Sequence, residues 1–207
     1  MPVHVVQHPI VQDALLSLRD ARTAPDEFRR VAARLATVLV TEALRDLPRA
    51  RHTVVTPLGP AEGDRLEGDI VLVPVLRAGL GMLDPVLGLL PSARVGHVGL
   101  QRDEITAVAS EYYARLPGNL ARSYVVVVDP MLATGGSVVA ALDILDRAGA
   151  ANVRLVCVVA APEGLERVER HSPALPIYTA AVDRALNDRK FIVPGLGDFG
   201  DRLYGTT

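Results

Sequence analysis

The sequence predicts an α/β domain: a central, mostly parallel sheet flanked by helices, with helices ahead of it at the N-terminus, one long flexible loop and a glycine-rich tail. Three observations carry this. From residue 53 onward, short β-branched runs alternate with amphipathic segments. The runs 125–128 and 153–159 are continuously apolar, as strands covered on both faces are. The chain has 207 residues, 49% of them hydrophobic, which is material for one substantial core and length for a single domain spanning 1–207.

The elements follow in order. Apolar positions at steps of three to five mark helices over residues 10–19 and 25–47, the second carrying Phe28, Val31, Leu35, Val38, Leu39 and Leu44. Thr23, with Asp26 three residues on and Pro25 between, reads as a side-chain-capped start, and Leu47-Pro48 as the stop. Strands are expected at 53–56, 69–76, 95–100, 123–128, 153–159 and 176–179, with helices at 80–90, 136–148 and 164–171. Residues 101–121 mix charges with Tyr112, Tyr113, Pro117 and Gly118 and are long for a plain connection, so a functional loop is expected. Residues 187–207 are rich in Gly and Asp around the apolar insert Phe191-Ile192-Val193-Pro194. Neither segment is expected to supply a core element.

Charge narrows the function. Twenty-two basic residues against 24 acidic leave a net of −2, so no global field attracts nucleic acid or a membrane surface, and neither is an expected partner. Lys190 is the only lysine, which excludes a Walker-type phosphate loop. The single Cys157 sits in an apolar run and reads as a small core hydrophobe with no disulfide partner. With no leader-like start and no long apolar run, a cytoplasmic location is expected. His4, His8, His52, His97 and His171 lack metal-site spacing, so no protein-held metal is expected. Met82 and Met131 read as core, and Asp143 and Asp146 as a solvated helix face.

The chemistry concentrates in Val128-Asp129-Pro130-Met131-Leu132-Ala133-Thr134-Gly135-Gly136-Ser137, placed after an apolar strand and before a helix. Such a strand delivers Asp129 to the carboxyl edge of the sheet, where open α/β folds bind ligands. The turn then offers backbone N–H groups at a helix N-terminus, suited to a phosphate, with Gly135 and Gly136 allowing close approach and the Thr134 and Ser137 hydroxyls adding donors. Arg77, in Pro74-Val75-Leu76-Arg77-Ala78-Gly79-Leu80-Gly81-Met82, reads on its own as a surface residue.

These residues resemble the 5-phosphoribosyl-1-diphosphate (PRPP) motif of type I phosphoribosyltransferases. Arg102-Asp103-Glu104, Tyr112-Tyr113 and Ile192-Val193-Pro194-Gly195-Leu196-Gly197-Asp198, with Gly200-Asp201-Arg202, narrow the likeness to the uracil phosphoribosyltransferase family, as do His8-Pro9, Phe28-Arg29 and Thr56-Pro57. Pro130, where most of the superfamily has a second acid, is a departure shared by the uracil-specific members. The resemblance implies conversion of uracil and PRPP to UMP and diphosphate. It places Asp129 on the ribose hydroxyls, residues Pro130 to Ser137 on the 5′-phosphate side of PRPP, and Arg77 and Arg102 on the diphosphate. Ile192, Gly197, Asp198 and Phe199 form the base and ribose site beneath a C-terminal hood. It further implies Mg²⁺ carried mainly by PRPP, a homodimer or higher assembly, and in some relatives a GTP effector, for which these residues locate no site. Phe191 stands where many members have Tyr and Phe199 where Ala is common, which is expected to alter tolerance of uracil C5 substituents. Two other readings stay open on residues alone: the same fold acting on another base, and a PRPP-binding regulator of RNA.

Overall fold

The computed structural model describes residues 1–102 and 109–206, with Arg102 and Ala109 described only in their backbone. Asp103 and Glu104 lie outside the described residues. The elements are β1 (Val3–Val5), α1 (Pro9–Arg19), α2 (Pro25–Ala43), β2 (Arg49–Thr56), β3 (Gly59–Leu66), β4 (Asp69–Leu76), α3 (Leu80–Leu89), β5 (Arg94–Val95), β6 (His97–Arg102) and β7 (Ala109–Arg115). After a short 3-10 turn at Leu120–Arg122 come β8 (Ser123–Val128), β9 (Met131–Leu132), α4 (Gly136–Arg147), β10 (Asn152–Ala160), α5 (Pro162–His171), β11 (Ile177–Val182), β12 (Ala185–Leu186), β13 (Ile192–Val193) and α6 (Phe199–Tyr204).

The main sheet runs β1-β11-β10-β8-β4-β6-β7, with β5 beside β4 and β9 beside β10. All these pairings are parallel except β6 with β7. Each face of the sheet has its own core. Leu72, Val126, Val128, Val156 and Val158 point to the face covered by α1, α2 and α3. Their sequence neighbours Val71, Val73, Val125, Val127, Leu155 and Cys157 point to the face covered by α4 and α5. Both faces are buried, so these strands read as continuous apolar runs rather than alternation. The chain leaves β4 for one face through α3 and β8 for the other through α4, so the carboxyl ends of these adjacent strands diverge into a crevice. Among the described residues, no helix is long and apolar enough to cross a membrane.

Several expectations are corrected. The N-cap of α2 is Ala24 without a side-chain bond, because the Thr23 hydroxyl donates instead to the Ser17 carbonyl at 2.6 Å. The same helix stops at Ala43, not Leu47, where the Leu44 N–H turns back onto the carbonyls of Val40, Thr41 and Glu42 and seats buried Leu44 and Leu47. The expected strand at 53–56 is the end of a longer hairpin, β2–β3, whose second strand, Gly-Pro-Ala-Glu-Gly-Asp-Arg-Leu, has no apolar pattern and is held by backbone pairing together with ion pairs from Arg49 and Arg51 to Asp64. Residues 109–115 of the expected loop form the antiparallel strand β7, and Leu120 is buried.

The tail is likewise corrected. Ile192, Leu196, Phe199 and Leu203 are each at most 4% exposed and join the main core. The Phe199 ring meets Phe28 edge-on, with centroids 5.2 Å apart. Met131 is only partly buried, whereas Met82 and Cys157 are fully enclosed.

Candidate active site

The centre of the site follows from the register. Pro74 of β4 lies opposite Val128 of β8, so Arg77 and Asp129 both emerge at the carboxyl edge, on neighbouring strands. Asp129 is 8% exposed, and its N–H donates to the Val156 carbonyl at 3.2 Å, which ties the start of the turn to β10. The turn closes on Gly135, whose φ of +75° is the left-handed conformation that favours glycine, and α4 begins at the next residue. The first N–H groups of α4 have no intrahelical acceptor. Asp129 and residues 131–138 line a small concavity around them. Asp129, the Thr134 and Ser137 side chains and the first N–H groups of α4 therefore lie around one concavity, a geometry suited to a sugar phosphate.

The Arg77 loop is seated against this centre. A Cβ on Gly79 would lie 2.5 Å from the Val128 carbonyl and 2.7 Å from the backbone of Val75, so only glycine lets the loop reach the end of β8. The Arg77 side chain is exposed and pairs with no acid among the described residues. The Arg102 backbone ends β6, two places along the sheet from β8; its side chain lies outside the described residues.

The C-terminal hood closes over the same edge. The Tyr204 hydroxyl donates to the Arg77 carbonyl at 3.3 Å. Gly81 packs under Leu203 and Phe199, and a Cβ at Gly200 would stand 3.8 Å from that of Ala78. Gly197 and Asp198 are exposed, and the Asp198 carboxylate accepts from the Asp201 N–H at 2.9 Å as the N-cap of α6. Because the Phe199 ring is buried against Phe28, any contact of this residue with a ligand runs through its main chain. Phe191 remains 45% exposed.

Two further residues border the phosphate turn without having been singled out from sequence. Gly164, in the first turn of α5, lets that helix sit directly on the turn: a Cβ there would be 2.4 Å from the Ala133 carbonyl. A glycine inside a helical pattern is itself a signal of close approach. Arg167, one turn on, brings its guanidinium over the start of α4, where Nη1 would be 3.4 Å from a Cβ on Gly136. Size does not select the site. A larger hollow of about 610 Å³ lies beside His4 and Tyr178, but its arginine, Arg45, is engaged by Glu42 at 2.6 and 3.0 Å. Among the described residues no three His, Cys, Asp or Glu side chains gather in metal-binding geometry.

The match to known proteins settles the family. A family model described as uracil phosphoribosyltransferase matches residues 5–206. The chain belongs to the uracil phosphoribosyltransferase family. Members of this family similar to it include the uracil phosphoribosyltransferases of Dictyoglomus turgidum, 50% identical over 99% of both chains, and Bacillus pumilus, 48% identical over 99% of this chain and 98% of that one. A solved structure, the AQ2163 protein from Aquifex aeolicus, superposes with a TM-score of 0.94 at 39% identity over 99% of both chains. An adenine phosphoribosyltransferase from Trypanosoma brucei, at TM-score 0.60 and 13% identity over 92% of this chain and 88% of its own, shares the type I phosphoribosyltransferase fold.

Proposed function

We propose that the protein is a pentosyltransferase of pyrimidine salvage that transfers the phosphoribosyl group of PRPP to uracil, giving UMP and diphosphate. The observation that carries this is the joining of three parts at one sheet edge. The turn after β8, the Arg77 loop after β4 and helix α6, which directly follows the 192–198 segment, meet there, tied by the Tyr204–Arg77 hydrogen bond and the contacts of Gly81 with Leu203 and Phe199.

In this reading residues Pro130 to Ser137 line the PRPP site and Ala133 to Ser137 hold the 5′-phosphate, with N–H groups and the Thr134 and Ser137 hydroxyls as donors. Asp129 holds the ribose hydroxyls and favours the positive charge that develops at C1 as the bond to diphosphate breaks. Arg77 and Arg102 steady the leaving diphosphate through their planar forks. Main-chain atoms from Ile192, Gly197 and Phe199, with Asp198 reaching the ribose, position uracil so that its N1 meets C1. Cytosine would leave a buried donor facing a donor, a mismatch of the kind that can reject a base by about 10⁴-fold.

The donor set suits a magnesium ion that arrives with its substrate, since Asp129 is the carboxylate in the turn and the neighbouring position is Pro130. When bound, Mg²⁺ supplies neutralising charge to the diphosphate. The proposal includes one catalytic domain over the whole chain, a cytoplasmic setting and a homodimer or larger assembly. Self-association is supported by the β2–β3 hairpin, which leaves Val55 and Leu58 at 90% and 101% exposure. A GTP effector is not part of it.

The test is formation of UMP from uracil, PRPP and Mg²⁺, beside adenine, guanine and cytosine, in wild type and Asp129→Asn. UMP from wild type, with kcat in the variant down by about 10²–10³-fold, is the expected result. A fully active variant would remove the role given to Asp129, and turnover of a purine instead would remove uracil.

A further inference from the structure

The loop that is to read the base is gripped from behind by two arginines and one aspartate, none of which lies in the phosphate turn. Arg19, the last residue of α1, donates to both oxygens of Asp183 at 2.6 and 2.8 Å and, with the same Nη1, to the Gly195 carbonyl at 2.7 Å. Asp183, with its side chain 5% exposed, in turn accepts the Gly195 N–H at 2.9 Å. Arg202 donates to the Leu196 carbonyl at 2.8 Å while its other contacts are the carbonyls of Leu18 and, at 2.6 Å, Asp20, both at the end of α1. Its guanidinium lies over the Phe28 ring, 4.5 Å from the centroid. Both groups of Gly195 and the carbonyl of Leu196 are thus turned toward the α1 side.

A trans peptide unit is planar, with its C=O and N–H pointing in opposite directions. Fixing one end of each unit therefore aims the other. With the Gly195 N–H on Asp183, the Pro194 carbonyl points away from the ion pair. With the Gly195 and Leu196 carbonyls on Arg19 and Arg202, the N–H groups of Leu196 and Gly197 point away as well. Among the described residues these two N–H groups meet no acceptor. Of these, the Gly197 N–H is one of the main-chain groups given to uracil above, and the clamp on the Leu196 carbonyl aims it away from α1 as a donor for a carbonyl oxygen of the base. Gly195 and Gly197 have φ of +60° and +80°, so the loop itself favours sharp reversals, and the clamp selects one orientation of each peptide plane.

We propose that Arg19 and Arg202, with Asp183, are positioning residues for base recognition: they touch no substrate, and they hold the Gly195–Leu196–Gly197 peptides in the orientation that uracil requires. This rests on the function proposed above and deepens it. Guanidinium is needed because each arginine serves two or more oxygens at once, which a lysine ammonium on a single flexible stem cannot reproduce. The clamp bears on the base loop and not on the phosphate turn, so its loss separates the two substrates.

The experiment is steady-state kinetics on the full-length protein, with uracil varied at saturating PRPP and PRPP varied at saturating uracil. Wild type, Arg19→Gln, Arg19→Lys, Asp183→Asn and Arg202→Lys are compared. Arg19→Gln raises the KM for uracil roughly 10- to 100-fold and leaves the KM for PRPP within about twofold, since one charged hydrogen-bond set on the loop is lost. Arg19→Lys and Asp183→Asn fall between, and Arg202→Lys shows the same split. Added guanidinium at non-denaturing concentration restores the uracil KM of an Arg19→Ala variant, which a merely destabilised protein would not show. A wild type that makes no UMP removes the proposed reaction and this inference with it. An active wild type whose Arg19 and Arg202 variants shift both KM values equally, shift neither, or gain nothing from guanidinium removes this inference alone.

Discussion

Replacing Gly164 with alanine tests whether the phosphate turn must lie where α5 now supports it. The added Cβ would stand 2.4 Å from the Ala133 oxygen, 2.8 Å from the Leu132 oxygen and 3.1 Å from the Ala133 carbonyl carbon. An ordinary C···O contact begins at about 3.3 Å, so helix and turn must separate by roughly 0.9 Å. Neither side yields as a flexible side chain would. The turn is bonded to the start of α5 through the Ala161 N–H and Leu132 carbonyl at 2.9 Å, and the approach is close on both sides, since a Cβ on Gly135 would stand 2.8 Å from the Gly164 carbonyl. A displacement near 1 Å at a catalytic constellation costs about 10²-fold in rate. Stability changes less: overpacking costs about 1–3 kcal/mol, and alanine regains about 1 kcal/mol of helix propensity over glycine. The assay is kcat/KM for PRPP beside the thermal midpoint, with Gly88→Ala as control, because Gly88 lies in α3 with nothing within 4 Å of the new methyl. We expect a fall of about two orders of magnitude for Gly164→Ala and an unchanged rate for Gly88→Ala. A Gly164→Ala enzyme within twofold of wild type would refute the argument that close packing of α5 sets the turn.

The other predictions are smaller. Arg167→Ala raises the KM for PRPP about two- to fivefold with little change in the KM for uracil, and the difference shrinks in high salt, as expected for a surface charge near a helix N-terminus. Burial pushes the Cys157 thiol up to about 12, so a maleimide at pH 8 leaves the native protein unlabelled and reacts once it is unfolded; rapid labelling of the native form would contradict the buried β10. Hydrogen bonding from Arg94 holds the Asp69 carboxyl below its ordinary value, with Ser123 helping. A carboxyl whose folded pKa is depressed contributes stability above its unfolded pKa of about 4 and loses it as pH falls through the folded value. Asp69→Asn should therefore lower stability at pH 7 and make the acid limb of the stability curve shallower; an unchanged limb in a urea titration across pH 2–6 would count against the pairing.

What the sequence made legible was what short-range pattern encodes. The bounds expected for 69–76 and 123–128 are those of β4 and β8, because strands buried on both faces write themselves as unbroken apolar runs. The strand-to-helix turn after β8 was legible as a turn because Asp129, Gly135 and Gly136 stand close together between an apolar run and a helical pattern. Strand β3 was not, since its sequence carries no apolar alternation and its pairing with β2 rests on backbone bonds and on the Asp64 contacts with Arg49 and Arg51. The tail misled for another reason: Ile192, Leu196, Phe199 and Leu203 stand at helical steps of four, three and four, yet Pro194, Gly195 and Gly197 interrupt the pattern and only Phe199–Tyr204 is helical. The Arg19–Asp183 pair spans 164 positions, and no local signal marks either member. The helix start at Thr23 was lost to a competing acceptor, the Ser17 carbonyl, which only the folded chain brings near.

One strand of the sheet is made long before the strand it pairs with. β1, at Val3–Val5, lies at the rim of the sheet and pairs with β11, which begins at Ile177. A growing polypeptide leaves the ribosome at about 5–20 residues per second, so that opening segment waits on the order of ten seconds or more without its neighbour. The turn after β8 likewise precedes Ile192 in the chain, so translation supplies the surroundings of Asp129 before those of Gly197.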